Sequence, residues 1–160
     1  ARFDRDAIEI RVIDTQEHPA ADLGIALLTT EVVRALVEER WAPQSAVRAL
    51  DTDALADLFL AVVRDAEDAR VAYGPLLAAL GLPARDTRAG DVWRTLLERL
   101  LPSAPAGLER PHAAVATIVE RGTLATRLLR ALGPAPGRAA LVETYTAVAD
   151  CLLAGRSFDA

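Results

Sequence analysis

A chain of 160 residues, 52% hydrophobic and 26% charged, is long and apolar enough for one domain with a core of its own, which excludes a disordered polypeptide. Its net charge of −5 comes from acids interleaved with arginines, which excludes the continuous basic face of a nucleic-acid-binding surface. Aromatic residues are only 4% while Ala and Leu dominate, so the core is expected to be mostly helix packed on helix.

Cys151 is the only cysteine; it allows no internal disulfide and fits a reducing, cytoplasmic compartment. Apolar runs are short and broken by Arg or Asp, so no membrane span is expected. The opening Ala1-Arg2-Phe3-Asp4 carries neither an initiator Met nor a signal-peptide pattern. The chain reads as entered mid-domain: a fragment, a processed product or a piece of a larger protein.

In chain order, Ile8-Glu9-Ile10-Arg11-Val12-Ile13-Asp14 is the one convincing strand. Ile8, Ile10 and Val12 share one face, and Glu9, Arg11 and Ile13 the other. A strand needs neighbours for its backbone groups, and no second run of this quality follows, so its sheet is expected from elsewhere in a parent protein or from another chain. Thr15 to Pro19 reads as a polar turn. A helix is expected from Ala20 to about Glu39, on Leu23, Ala26, Leu27, Val33 and Leu36, with Ile25, Leu28 and Val32 widening its apolar stripe. Asp51 or Thr52 caps the next helix, in which Leu55, Leu58, Phe59, Val62 and Val63 keep helical spacing. A short helix from Pro75 to Leu80 stops at Gly81. Trp93, Leu96, Leu97, Leu100 and Leu101 form another stripe, closed by Pro102, and a loop runs to Pro111. A helix from His112 to Glu120 breaks at Arg121-Gly122-Thr123, where Thr123 caps a helix through Leu132. The last helix, Arg138 to Leu153, is expected to bury Leu141, Tyr145, Val148 and Leu152 and to end at Gly155. The class is therefore α+β: residues 1–19 form a strand and turn, and residues 20–160 a helical bundle with antiparallel neighbours.

Polar groups that could carry chemistry are few. His18 and His112 stand far apart, and no Walker loop, Gly-x-Gly-x-x-Gly element or Gly-x-Ser-x-Gly elbow is present. Cys151, among apolar neighbours, reads as a buried structural thiol. The exception is Glu9-x-Arg11. On a strand the two side chains leave one face about 7 Å apart, where a carboxylate can ligate Mg²⁺ and a guanidinium can hold a phosphate oxygen with two hydrogen bonds. The plain alternative is a solvated strand face with a cross-strand ion pair.

The run Ile8-Glu9-Ile10-Arg11-Val12-Ile13-Asp14-Thr15-Gln16-Glu17-His18-Pro19 resembles the Ile-Glu-Val-Arg-x-x-Asp-x-x-Pro signature of glutamate–cysteine ligases, and similar runs occur in glutamine synthetases. Glu120-Arg121-Gly122-Thr123-Leu124-Ala125-Thr126-Arg127-Leu128-Leu129 is similar to the Gly-Thr-x-Ala-x-Arg segment of the bacterial type 2 relatives. Leu141 to Phe158, with Tyr145, Cys151, Gly155 and Arg156, is similar to their C-terminal helix. The resemblance implies the C-terminal part of an ATP-dependent carboxylate–amine ligase, with the strand belonging to an antiparallel glutamine-synthetase-like sheet. It implies Glu9 as an Mg²⁺ ligand and Arg11 as the catalytic residue that binds the ATP phosphate. ATP and Mg²⁺ would be the cofactors, and a glutamate-like carboxylate and an amine the substrates. The rest of the parent, or another chain, would complete the sheet, a homo-oligomer being one arrangement. Asp14 is read as structural. Gly122, Thr123 and Arg127 either approach the substrate edge or are a helix break and a surface arginine. The alternative function is a non-catalytic helical scaffold or interaction module derived from the family.

Overall fold

The computed structural model describes residues 3–5, 7, 9–10 and 12–159. Among them run eight α-helices: α1 (Pro19–Val37), α2 (Gln44–Arg48), α3 (Thr52–Asp65), α4 (Gly74–Ala79), α5 (Ala89–Leu100), α6 (Glu109–Arg121), α7 (Leu124–Leu132) and α8 (Arg138–Ala154). Two-residue strands β1 (Arg70–Val71) and β2 (Thr87–Arg88) flank α4 and pair antiparallel, Arg70 opposite Arg88 and Val71 opposite Thr87. Among the described residues the architecture is a predominantly helical α+β fold with one small two-stranded sheet.

Helix α1 organises the bundle. Pro19 at its first position presets the helical backbone and lacks the N–H that would otherwise be unsatisfied there. Ala21, Gly24, Leu28, Val32 and Ala35 recur every three or four residues and are buried. This stripe lies chiefly along α6 and also meets α5. Gly24 sets the closeness of the α1–α6 crossing, because a side chain there would run into the Pro111 carbonyl oxygen and stand 3.0 Å from Val115 Cβ. One half of the core gathers Val32, Val71, Leu77, Ala89, Val92 and Leu96, with Trp41 and Val62 packed at its margin. The other half joins Leu28, Leu97, Leu101 and Val115. Local chemistry sets the boundaries: Asp51 accepts from Ala54 N at 2.8 Å to open α3, and Thr123 Oγ1 accepts from Thr126 N at 3.2 Å to open α7.

Several expectations need correction. The described residues of the expected strand, Glu9, Ile10 and Val12 to Asp14, carry no strand, and Ile10, Val12 and Ile13 are exposed; Ile8 and Arg11 lie outside the described residues. A lone strand has no ladder to satisfy its backbone, which is the physical reason for this outcome. The sheet that does form lies elsewhere, between β1 and β2. In α8, Leu141, Tyr145 and Leu152 are exposed rather than buried, and Cys151 is that helix's buried residue. Helix α8 rests chiefly on α7, so its broad apolar surface finds too few neighbours to cover it. Phe59 and Val63 of α3 and Trp93 of α5 also face outward.

Candidate functional site

Of the expected pair, Glu9 is exposed and outside regular secondary structure, while Arg11 lies outside the described residues. The chain instead builds a buried polar centre around Arg127, one turn into α7. Helical side chains lean toward the helix N-terminus, so the Arg127 stem runs back over the turn before α7 and its Nε donates to Gly122 O at 3.1 Å. Its Nη1 donates to Glu17 Oε1 at 2.7 Å and to Phe158 O at 2.5 Å. Phe158 N donates to the same Glu17 oxygen at 3.3 Å. The side chains of Arg127 and Glu17 are both 0% exposed.

This corrects the surface reading of Arg127: it is the largest fully buried side chain among the described residues. Glu17, expected in a polar turn, is buried with it. Burial alone would raise the Glu17 carboxyl, but the Arg127 hydrogen bond and charge, with backbone amides including Phe158, outweigh that and leave it below its ordinary value. Glu17 Oε2 and Arg127 Nη2 find no hydrogen-bond partner among the described residues.

Gly122 makes the geometry possible. Its φ of 94° and ψ of 170° belong to a region essentially reserved for glycine, and a Cβ there would collide with Glu67 Oε1. The turn aims the Gly122 carbonyl at Arg127 and leaves Thr123 to cap α7. After α8, Gly155 ends the helix in the left-handed conformation and the tail turns back, with Arg156 N donating to Cys151 O at 3.1 Å. Cys151 is 1% exposed, with Sγ 3.8 Å from Ser157 O, in keeping with a structural thiol. His18 is also buried, its Nε2 3.2 Å from Ser157 Oγ. His112 is remote from it and meets Leu101 O at 3.0 Å, at the end of α5.

Two clefts adjoin this centre. One, of about 270 Å³, lies beside His18, Arg110 and Arg156. The other, of about 440 Å³, is a mixed-charge surface around Glu67, Asp91, Arg94, Gly122 and Arg130.

The donors present do not by themselves fit a divalent cation: no group of three or more His, Cys, Asp or Glu suited to a metal occurs among the described residues. Glu9 could supply one carboxylate and no more. No helix among the described residues is long and apolar enough to cross a membrane. Comparison with protein-family models, with curated proteins and with solved structures finds no match to this chain.

Sequence reasoning missed Glu17 and His18 because they precede α1 and take no part in its periodicity. The partner of Glu17 stands 110 residues away, beyond any local pattern. The signal available for Arg127 was its place in the Gly-Thr-x-Ala-x-Arg segment.

Proposed function

We propose that this chain is the C-terminal part of an ATP-dependent carboxylate–amine ligase of the glutamate–cysteine type. The observation that supports the reading is the convergence on Arg127. Three stretches resemble that family: one ends in Glu17-His18-Pro19, one contains Gly122 to Arg127, and one ends at Phe158. Glu17 and Phe158 lie 110 and 31 residues from Arg127, yet all three meet in one buried contact. Chance similarity in separate stretches gives no reason for such a meeting, whereas a shared architecture does. The contact also anchors Glu17, a few residues after Glu9 in the chain, to the bundle. The exposed apolar face of α8 suits a piece that packs against the rest of a larger protein or another chain.

In the proposed reaction the γ-phosphoryl group passes from ATP to a carboxylate oxygen of a glutamate-like substrate, and ADP leaves. The amine nitrogen then bonds to the acyl carbon, the carbon–oxygen bond to phosphate breaks, and inorganic phosphate departs as the amine loses a proton. By resemblance, Arg11 would hold phosphoryl oxygens and Glu9 would face the cation, the remaining donors coming from outside these residues. The test is ADP release by the full-length protein given Mg-ATP, glutamate and a panel of amines. Glu9→Gln and Arg11→Lys are each expected to lower kcat/KM by roughly 100-fold or more with the fold intact. Wild-type kinetics in both variants would remove the pair from the site. No ADP release with any acceptor would leave the non-catalytic scaffold as the better reading.

A further inference from the structure

We infer that the cleft between the start of α1, helix α6 and the tail after α8 binds a phosphate group. Its walls include His18, Ala20, Arg110, Thr117, Arg156 and Ser157, and no carboxylate side chain lines it among the described residues. Neither Arg110 nor Arg156 forms an ion pair among the described residues. Arg110 is held in place because its Nη2 donates to Gly155 O at 2.7 Å; a guanidinium has five N–H donors, so others stay free for a ligand. Ala20 stands in the first turn of α1, whose N-cap residue His18 makes no side-chain capping bond. The positive end of a 19-residue helix is therefore uncapped by its own N-cap residue at this wall. His18 itself is 3% exposed, and its Nδ1 finds no hydrogen-bond partner among the described residues.

This set selects by charge and by size. With two arginines and no carboxylate among its described walls, the cleft disfavours a cation. Two guanidinium forks, hydroxyls and a helix N-terminus match a compact dianion with several acceptor oxygens. A monoanionic carboxylate would leave much of that positive charge unmatched. The volume of about 270 Å³ falls just short of the roughly 300–1,000 Å³ typical of sites for larger ligands, which points to a phosphate or a small phosphate ester rather than a whole nucleotide. Asp22, in the first turn of α1, is turned toward Gln16 N at 3.1 Å and is not among the residues lining the cleft.

The inference does not rest on the ligase reading, and phosphate binding without ADP release would separate the two. The 160-residue chain is titrated with inorganic phosphate, glycerol phosphate and acetate while its backbone amide resonances are followed. Saturable shifts at His18, Ala20, Thr117 and Ser157 are expected with phosphate, and much weaker ones with acetate. Tighter binding of glycerol phosphate would assign the site to a phosphorylated small molecule, and tighter binding of the inorganic ion to free phosphate; either supports the inference. Arg156→Gln should weaken binding at least tenfold, and Ala113→Glu, which places a carboxylate in the cleft, should abolish it. Arg130→Gln, in the mixed-charge cleft, should change nothing. Unaltered affinity in Arg156→Gln and Ala113→Glu, equal binding of acetate, or shifts scattered over other arginines would overturn the proposal. Arg110 is left intact in these variants because it also holds the end of α8.

Discussion

Arg127 serves three segments with one guanidinium, so its loss is felt in each of them. Arg127→Met keeps most of the side-chain volume but leaves Glu17 buried without its counter-charge, and about 3–5 kcal/mol of stability should disappear. Urea unfolding followed by circular dichroism measures this. Glu17→Gln strands the opposite charge, since Arg127 cannot shed its proton, and should cost about as much even though the amide oxygen still accepts from Arg127. The two forms also differ in pH dependence. The folded Glu17 carboxyl lies below its ordinary value of 4.5, so the ion pair contributes fully above that pH, and the contribution fades as the pH falls through the lower folded value. Unfolding curves of wild type and Glu17→Gln should therefore be well separated at neutral pH and draw together only as the pH falls below 4.5 through the lower folded value. Gly122 carries a different demand. Gly122→Ala should destabilise by about 1–3 kcal/mol from backbone strain alone. Adding Glu67→Ala removes the collision but not the strain, so thermal unfolding of the double variant should recover only part of the loss.

Between elements, the decisive approach is α1 on α6. Gly24→Ala raises helix propensity by up to about 1 kcal/mol, yet the new methyl meets the Pro111 carbonyl, backbone that cannot swing aside. A net destabilisation of about 1–3 kcal/mol is expected, read as a lower Tm. The helices themselves were legible from sequence. Asp51 and Thr123 declared their caps, Gly81 and Gly155 their stops, and the long stripes of α1 and α5 their existence. Which face is buried was less legible, because Ala-rich and Leu-rich helices carry apolar residues all round. Leu28 and Val32 are buried while Leu23 is exposed, although all three fit a helical stripe. Strands β1 and β2 escaped notice because two residues are too few to show alternation. Glu9, Ile10 and Val12 to Asp14, the described part of the expected strand, show the converse: a good local pattern does not build a ladder without a neighbour.

For the molecule as a whole, the exposed apolar surface is what calls for a partner. Val142, Tyr145, Leu152 and Leu153 of α8 are 53–86% exposed and follow one helical face, so the isolated chain is expected to associate at high concentration. Val142→Lys with Leu153→Asp should shift sedimentation velocity profiles toward the monomer and leave helicity unchanged; persistent association would place the contact elsewhere. The candidate site was legible only where it coincided with a motif, because the buried centre depends on pairings across most of the chain. That span bears on kinetics. The hydrogen bond from Phe158 N to Glu17 joins residues 141 positions apart, so its closure entropy must be met before the contact yields any stability. It should be absent from the folding transition state, a latch that shuts last. Phe158→Ala keeps that N–H but strips the buried ring that docks the tail; it should leave the refolding rate nearly unchanged in stopped-flow chevrons and place its whole effect on unfolding. The tail thereby governs how long the native state survives rather than how quickly it is reached.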